Sequence, residues 1–165
     1  MSNKIASKRY STALFDSVKN EELDALLKDA QSLSETMSDS EELSSLLKSP
    51  LTKNELKSNI LLKIIDGLPS EKILSGLVNT LKKNKRLNLF ENILLDFQDV
   101  LFEKRGYQKA KVTTSHAIND EIKNSIQELL HNQYGSKINL EFQVNNSLLG
   151  GMTVVIGSKM IDLSI

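Results

Sequence analysis

The sequence has no cysteine and no tryptophan, only two prolines, and eight aromatic residues in all, three Tyr and five Phe. Without cysteine there can be no disulfide scaffold and no thiolate zinc site. Net charge is also lacking: 21 Lys and Arg stand against 21 Asp and Glu. The balance holds in each half, so the chain has no electrostatic reason to collect nucleic acid or an anionic membrane surface. No apolar run approaches the roughly 20 residues a membrane span needs. The richest, Ile60 to Ile65, is broken by Lys63. The N-terminus has no continuous apolar stretch of the secretory kind. Its mildly basic first twenty residues, with Lys4, Lys8, Arg9 and Lys19 against Asp16, faintly resemble a mitochondrial transit peptide but read better as a first helix.

What is present is helical periodicity up to Gly106 and a mixed pattern beyond it. Apolar residues recur at helical spacing in Asn3 to Val18, Glu22 to Met37, a short segment after Ser38-Asp39-Ser40 that Pro50 stops, Lys53 to about Ile65, a segment opened by Pro69-Ser70 and ended before Lys82-Lys83-Asn84-Lys85-Arg86, and Leu87 to Arg105. Thr52-Lys53-Asn54-Glu55 reads as a capping box, in which Thr52 takes the Glu55 amide and Glu55 reaches back. Six helices, each with a broad apolar stripe and short connections, can hide those stripes only against one another. A mainly α fold follows: a six-helix bundle over residues 1–105, with Gly106 as its terminating glycine.

Residues 106–165 predict a small α+β unit. Ala110, Val112 and Thr114 alternate as a strand. Asn119 or Asp120 caps a helix that ends near Tyr134-Gly135. Ile138, Leu140, Phe142 and Val144 then alternate with polar residues as a strand with one buried face. Strands over Met152 to Ile156 and Met160 to Leu163 are joined at Gly157-Ser158. Gly150 and Gly151 read as a bulge or close backbone approach.

Catalytic chemistry has no visible home. Of the two histidines, His116 falls at a strand end, and His131 reads as an exposed partner of a helix C-terminus, with no carboxylate at ligand spacing. No Ser lies in a G-x-S-x-G turn. Gly150-Gly151 and Gly157-Ser158-Lys159 miss the spacing of a phosphate loop. The basic cluster of residues 82–86 lacks stacking aromatics and reads as a solvated junction. The residues alone therefore describe an interaction module.

Three segments carry a resemblance. Ala6-Ser7-Lys8-Arg9-Tyr10-Ser11-Thr12-Ala13-Leu14-Phe15, Leu81-Lys82-Lys83-Asn84-Lys85-Arg86-Leu87, and the stretch Leu140 to Gly157 with Leu149-Gly150-Gly151 followed by Ile161-Asp162-Leu163-Ser164 are similar to segments of the delta subunit family of F-type ATP synthases, whose mitochondrial relative is the oligomycin-sensitivity-conferring protein. The last is the most specific. Family members carry a further short helix after the Asp-x-Ser segment, so the resemblance implies a shortened C-terminus.

The resemblance implies a non-catalytic stator subunit with no cofactor and no metal. Such a subunit resists rotor torque from a place on the cytoplasmic face of a bacterial membrane, held there by the complex without inserting. The implied partners are the alpha subunits of the catalytic head, with beta a further candidate, for the helical bundle, and the b-subunit stalk for the C-terminal unit. It assigns the alpha-subunit helix to a groove between the first and fifth helices. The pattern then selects Ala6, Tyr10, Ala13 and Leu14 on the first and Leu74, Leu77, Val78 and Leu81 on the fifth, each of which reads equally well as plain core. Gly106, Gly150, Gly151, Gly157 and Asp162 are expected in structural roles. A helical adaptor unrelated to ATP synthase is the competing reading, and a nucleic-acid binder through residues 82–86 the third.

Overall fold

Short polar side chains start several of the helices by accepting backbone N–H groups that have no partner within the first turn. In the computed structural model, which describes residues 2–157 and 159–162, the Ser2 hydroxyl accepts from the Ile5 amide ahead of α1 (Asn3–Ser17). A turn of 3₁₀ helix, Asn20–Glu22, leads into α2 (Leu23–Asp39). Ser40 both ends α2 and caps α3 (Glu41–Lys48), accepting from Leu43 N at 3.3 Å. Then come α4 (Asn54–Ile65), α5 (Glu71–Lys83), a 3₁₀ turn at Leu87–Leu89, and α6 (Phe90–Lys104).

The capping box foreseen at Thr52 does not form. α4 begins one residue later than that reading required, so Lys53 is the N-cap and makes no side-chain bond. Glu55 is instead held by Lys82, whose Nζ lies 2.8 Å from Oε2.

The chain divides into two compact units, Met1–Leu101 and Phe102–Ile165. In the first, the helical stripes meet in one core built around Leu26, Leu61, Leu74, Leu81, Phe90, Ile93, Leu94 and Phe97, all at most 1% exposed. Close packing of α1 onto α6 uses small residues. Ser7 and Ser11 are fully buried; Ser7 Oγ donates to the Asp96 carboxylate, and Ser11 Oγ to the Ser7 carbonyl at 2.6 Å. Buried Asp29 of α2 accepts from the Ser70 amide at 2.8 Å and so pins the start of α5. Burying these polar groups is tolerated because each has a partner.

Where α6 ends, Gly106 adopts φ +83°, and the chain closes with two backbone bonds, Gly106 N to Glu103 O and Tyr107 N to Phe102 O. The Phe102 and Tyr107 rings meet edge to face at 5.2 Å, the apolar contact that accompanies such a helix stop. α5 ends the same way with Lys85 in the glycine position, at φ +57°: Arg86 N bonds Leu81 O and Lys85 N bonds Lys82 O.

The second unit is a four-stranded sheet in the order β2-β1-β3-β4 with one helix, α7 (Asp120–Tyr134). β1 (Gln108–Thr114) pairs in parallel with β2 (Ile138–Val144), which requires the α7 crossover, and antiparallel with β3 (Met152–Ile156). β4 (Lys159–Asp162) closes the order against β3. Asn119 is the residue that caps α7, accepting from Ile122 N at 2.9 Å.

Three local expectations change. The buried face of β2 fades along the strand: Ile138 is buried, Leu140 and Phe142 are partly buried against the same core, and Val144 is 48% exposed, because β2 is an edge strand and its far end runs past the cover. Gly150 and Gly151 do not form a bulge, since the β1–β3 register is unbroken from Ala110↔Ile156 to Thr114↔Met152. They lie in the bend before β3, with Gly151 at φ +76°. His131 is half-buried rather than exposed, its Nε2 enclosed without a hydrogen-bond partner. Gly157, at φ +59°, opens the β3–β4 turn, and Asp162 stands opposite Thr153; Ser158 and residues 163–165, including the expected end of the last strand, lie outside the described residues. Among the described residues no helix is long and apolar enough to cross a membrane.

Candidate functional site

The first unit leaves an open groove of about 620 Å³ lined chiefly by α1 and α5. α1 contributes Tyr10, Ala13, Leu14 and Ser17; α5 contributes Ile73, Gly76, Leu77 and Thr80. Helical spacing explains the alignment: residues three and four apart share a face, so 10, 13, 14 and 17 line one wall and 73, 76, 77 and 80 the other. Tyr10 is fixed at the edge by Asn84 Nδ2, which donates to its hydroxyl at 2.8 Å. The end beyond α1 is polar, with Lys19, Glu22 and Lys72.

Two further depressions adjoin. One of about 570 Å³ runs along α1 past Lys4, Ile5, Lys8, Arg9, Thr12, Ala13 and Asp16. A smaller one, about 310 Å³, is bounded by Ala6, Arg9, Tyr10, Ala13 and Arg86. Ala13 borders all three, and its exposed methyl leaves the backbone of α1 approachable. The rim is mainly basic, with Lys4, Lys8, Arg9 and Arg86 against Asp16. Ile5, 52% exposed, adds apolar surface without covering.

Of the eight residues selected from the sequence, Tyr10, Ala13, Leu14 and Leu77 line the groove. Ala6 borders the smaller depression while being 2% exposed. Leu74, Val78 and Leu81 are fully buried in the helical core and do not reach the groove. Sequence reasoning missed Val18, Ile73, Gly76 and Thr80. The signal was Gly76: a glycine inside a helix is unfavourable by about 1 kcal/mol relative to alanine, which asks for a reason. A Cβ there would meet nothing within 4 Å, so the residue keeps the groove wall low rather than admitting a neighbour.

Among the described residues no group of three His, Asp or Glu side chains could hold a metal ion. The trough is a mainly apolar surface with a charged border, chemistry that suits contact with another protein. Comparison with known proteins is specific. Residues 6–165 match the family model described as ATP synthase delta (OSCP) subunit, and the chain belongs to that family. The ATP synthase subunit delta of Chlorobaculum tepidum is 34% identical over 100% of this chain and 91% of its own length. That of Pelagibacter ubique is 32% identical over 95% and 85%. A chain in the cryo-EM structure of the Toxoplasma gondii mitochondrial ATP synthase hexamer superimposes with a TM-score of 0.72 over 96% of this chain and 90% of its own, at 23% identity, and is a likeness of fold. The protein is a peripheral-stalk subunit of F-type ATP synthase and is not itself catalytic.

Proposed function

We propose that the α1–α5 groove holds an N-terminal helix of an alpha subunit of the catalytic head, and that the C-terminal unit takes the end of the b-subunit stalk, at the cytoplasmic face of a bacterial membrane. The observation that carries the first half is Ala13: an exposed small apolar residue common to three adjoining depressions. An amphipathic guest helix could lay its apolar face against Leu14, Leu77 and Ile73 and set acidic residues against the basic rim. Tyr10, rigidly held and amphipathic, suits an anchoring contact. Ala6, Leu74, Val78 and Leu81 serve this reading indirectly, as core that keeps α1 and α5 in place.

The second half rests on apolar surface left open in the C-terminal unit: Ile122 at 45% and Leu129 at 68% exposed on α7, and Leu149 at 87% in the loop before β3. A stator must bear load without chemistry, so its strength comes from area removed from water at both ends. Bridging head and stalk in this way keeps the head from turning with the rotor.

Calorimetric titration with a synthetic alpha-subunit N-terminal peptide tests the groove. Ala13→Glu should abolish binding while leaving helicity and melting temperature nearly unchanged, because the new carboxylate is solvated. Undiminished binding by the folded variant removes this face from the interface.

A further inference from the structure

Four helices stop next to a residue in the left-handed conformation. After α4, α6 and α7 that residue is glycine: Gly67, Gly106 and Gly135, with φ of +79°, +83° and +96°. After α5 it is Lys85, at φ +57°, the one non-glycine residue with positive φ among those described. A Cβ in this conformation crowds the following carbonyl, and asparagine bears the crowding better than lysine because its short amide can bond locally. Yet the asparagine stands one place earlier, with Asn84 at φ −88°. The order Asn84-Lys85 is therefore not the one that favours the turn itself. What position 84 gains lies across the surface. Its Nδ2 donates to the Tyr10 hydroxyl at 2.8 Å, joining residues 74 apart in sequence. An exposed neutral bond of this kind adds little to folding. The turn is closed without it by backbone bonds, from Arg86 N to Leu81 O, Lys85 N to Lys82 O and Asn84 N to Thr80 O.

Tyr10 and Ala13 are the residues shared by the α1–α5 groove and the smaller depression beside Arg86. Ala13 ends at a methyl, so the half-buried ring of Tyr10 is what stands up between the two. We infer that Asn84 is a positioning residue for the guest: it acts through Tyr10, fixing that ring in its binding orientation before the guest arrives. The inference rests on the groove reading proposed above. A large side chain already held in place has no rotamer freedom to lose on binding, which is worth about three- to tenfold in affinity. The Asn84 side chain thus serves recognition, while the backbone around it serves the fold.

The test is calorimetric titration of the full chain with the synthetic alpha-subunit N-terminal peptide, arranged as a cycle of two substitutions. Asn84→Ala leaves the backbone bonds of the turn in place. It should melt close to the parent and bind the peptide about three- to tenfold more weakly. Tyr10→Phe keeps the ring and removes the hydroxyl that Asn84 holds. It should weaken binding at least as much, and adding Asn84→Ala to it should cost nothing further. Undiminished binding by Asn84→Ala overturns the inference. Equal losses from Asn84→Ala in the parent and in Tyr10→Phe also overturn it, since Asn84 would then act independently of Tyr10. So does a melting temperature of Asn84→Ala well below the parent's, which would make the bond part of the fold's own support. These three outcomes leave the groove standing as long as Ala13→Glu abolishes binding. No binding by the parent, or binding retained by Ala13→Glu, removes the groove and this inference with it.

Discussion

The two units solve burial differently. In the helical unit every helix gives its stripe to a shared core, and polar groups drawn inside, Ser7, Ser11 and Asp29 among them, are answered by partners on the same or a neighbouring element. In the C-terminal unit a single helix faces a four-stranded sheet, and the core is small: Ala110, Val112, Ile126, Leu130, Ile138, Val154 and Ile156. One helix cannot cover a sheet, so Val144 and Met160 remain 48% and 63% exposed, and nothing among the described residues covers the outer side of that helix, where Leu129 is 68% exposed. Apolar surface left over in the first unit includes the trough between α1 and α5 beside single exposed side chains such as Leu51 and Leu56; in the second it is scattered over a helix, an edge strand and a loop, with no trough among the described residues there. A rigid body with one groove suits a single helical guest. A half-covered sheet unit suits a partner that completes it.

The contrast can be broken at its strongest point. Phe97 is fully buried at the centre of the helical core. Phe97→Ala should destabilise that unit by about 3–5 kcal/mol, read from denaturant melts of its helical signal. A loss well under 1 kcal/mol would mean that the core is not the single packed body described here.

A smaller effect of opposite sign is expected at Gly76. Alanine fits there without a clash, so Gly76→Ala should stabilise the helical unit by about 0.5–1 kcal/mol in the same melts. Peptide titration should show weaker binding at the same time, because the added methyl raises the groove wall. Gain of stability with unaltered binding would exclude Gly76 from the contact.

The smallest change in stability belongs to the C-terminal unit. Leu129→Asp lies on the open side of α7 and should alter stability by no more than about 0.5 kcal/mol. Capture of the C-terminal segment of the b subunit should nevertheless fall sharply. Retained capture would detach this face of α7 from the stalk.

Much of this was legible from periodicity. The six helices, the helix between two strands and the glycine stop at residue 106 follow from spacing and turn chemistry, which are local. Where long-range partners decide, local reading failed. Thr52-Lys53-Asn54-Glu55 has the letters of a capping box, but Glu55 is claimed by Lys82, distant in sequence. The alternation of residues 138–144 is real, yet its depth depends on β2 lying at the sheet edge, which no single strand reveals. On α5 the apolar stripe led to Leu74, Val78 and Leu81, which form core, because the wall of a groove is made by the flank of a stripe rather than its centre.

The strand order of the C-terminal unit also bears on how the protein is made. β1, the first strand to leave the ribosome, lies inside the sheet, and both its neighbours come later: Ala110 pairs with Leu140 on one side and Ile156 on the other. The helical unit precedes it and can fold from contacts already synthesised, whereas β1 must wait, both edges unpaired, for most of the remaining chain. Sheets closed by such distant pairings form slowly and present sticky edges meanwhile. During translation the vulnerable interval therefore begins when residues 108–114 emerge and ends only with β3, which makes this half of the molecule the natural client for chaperone protection.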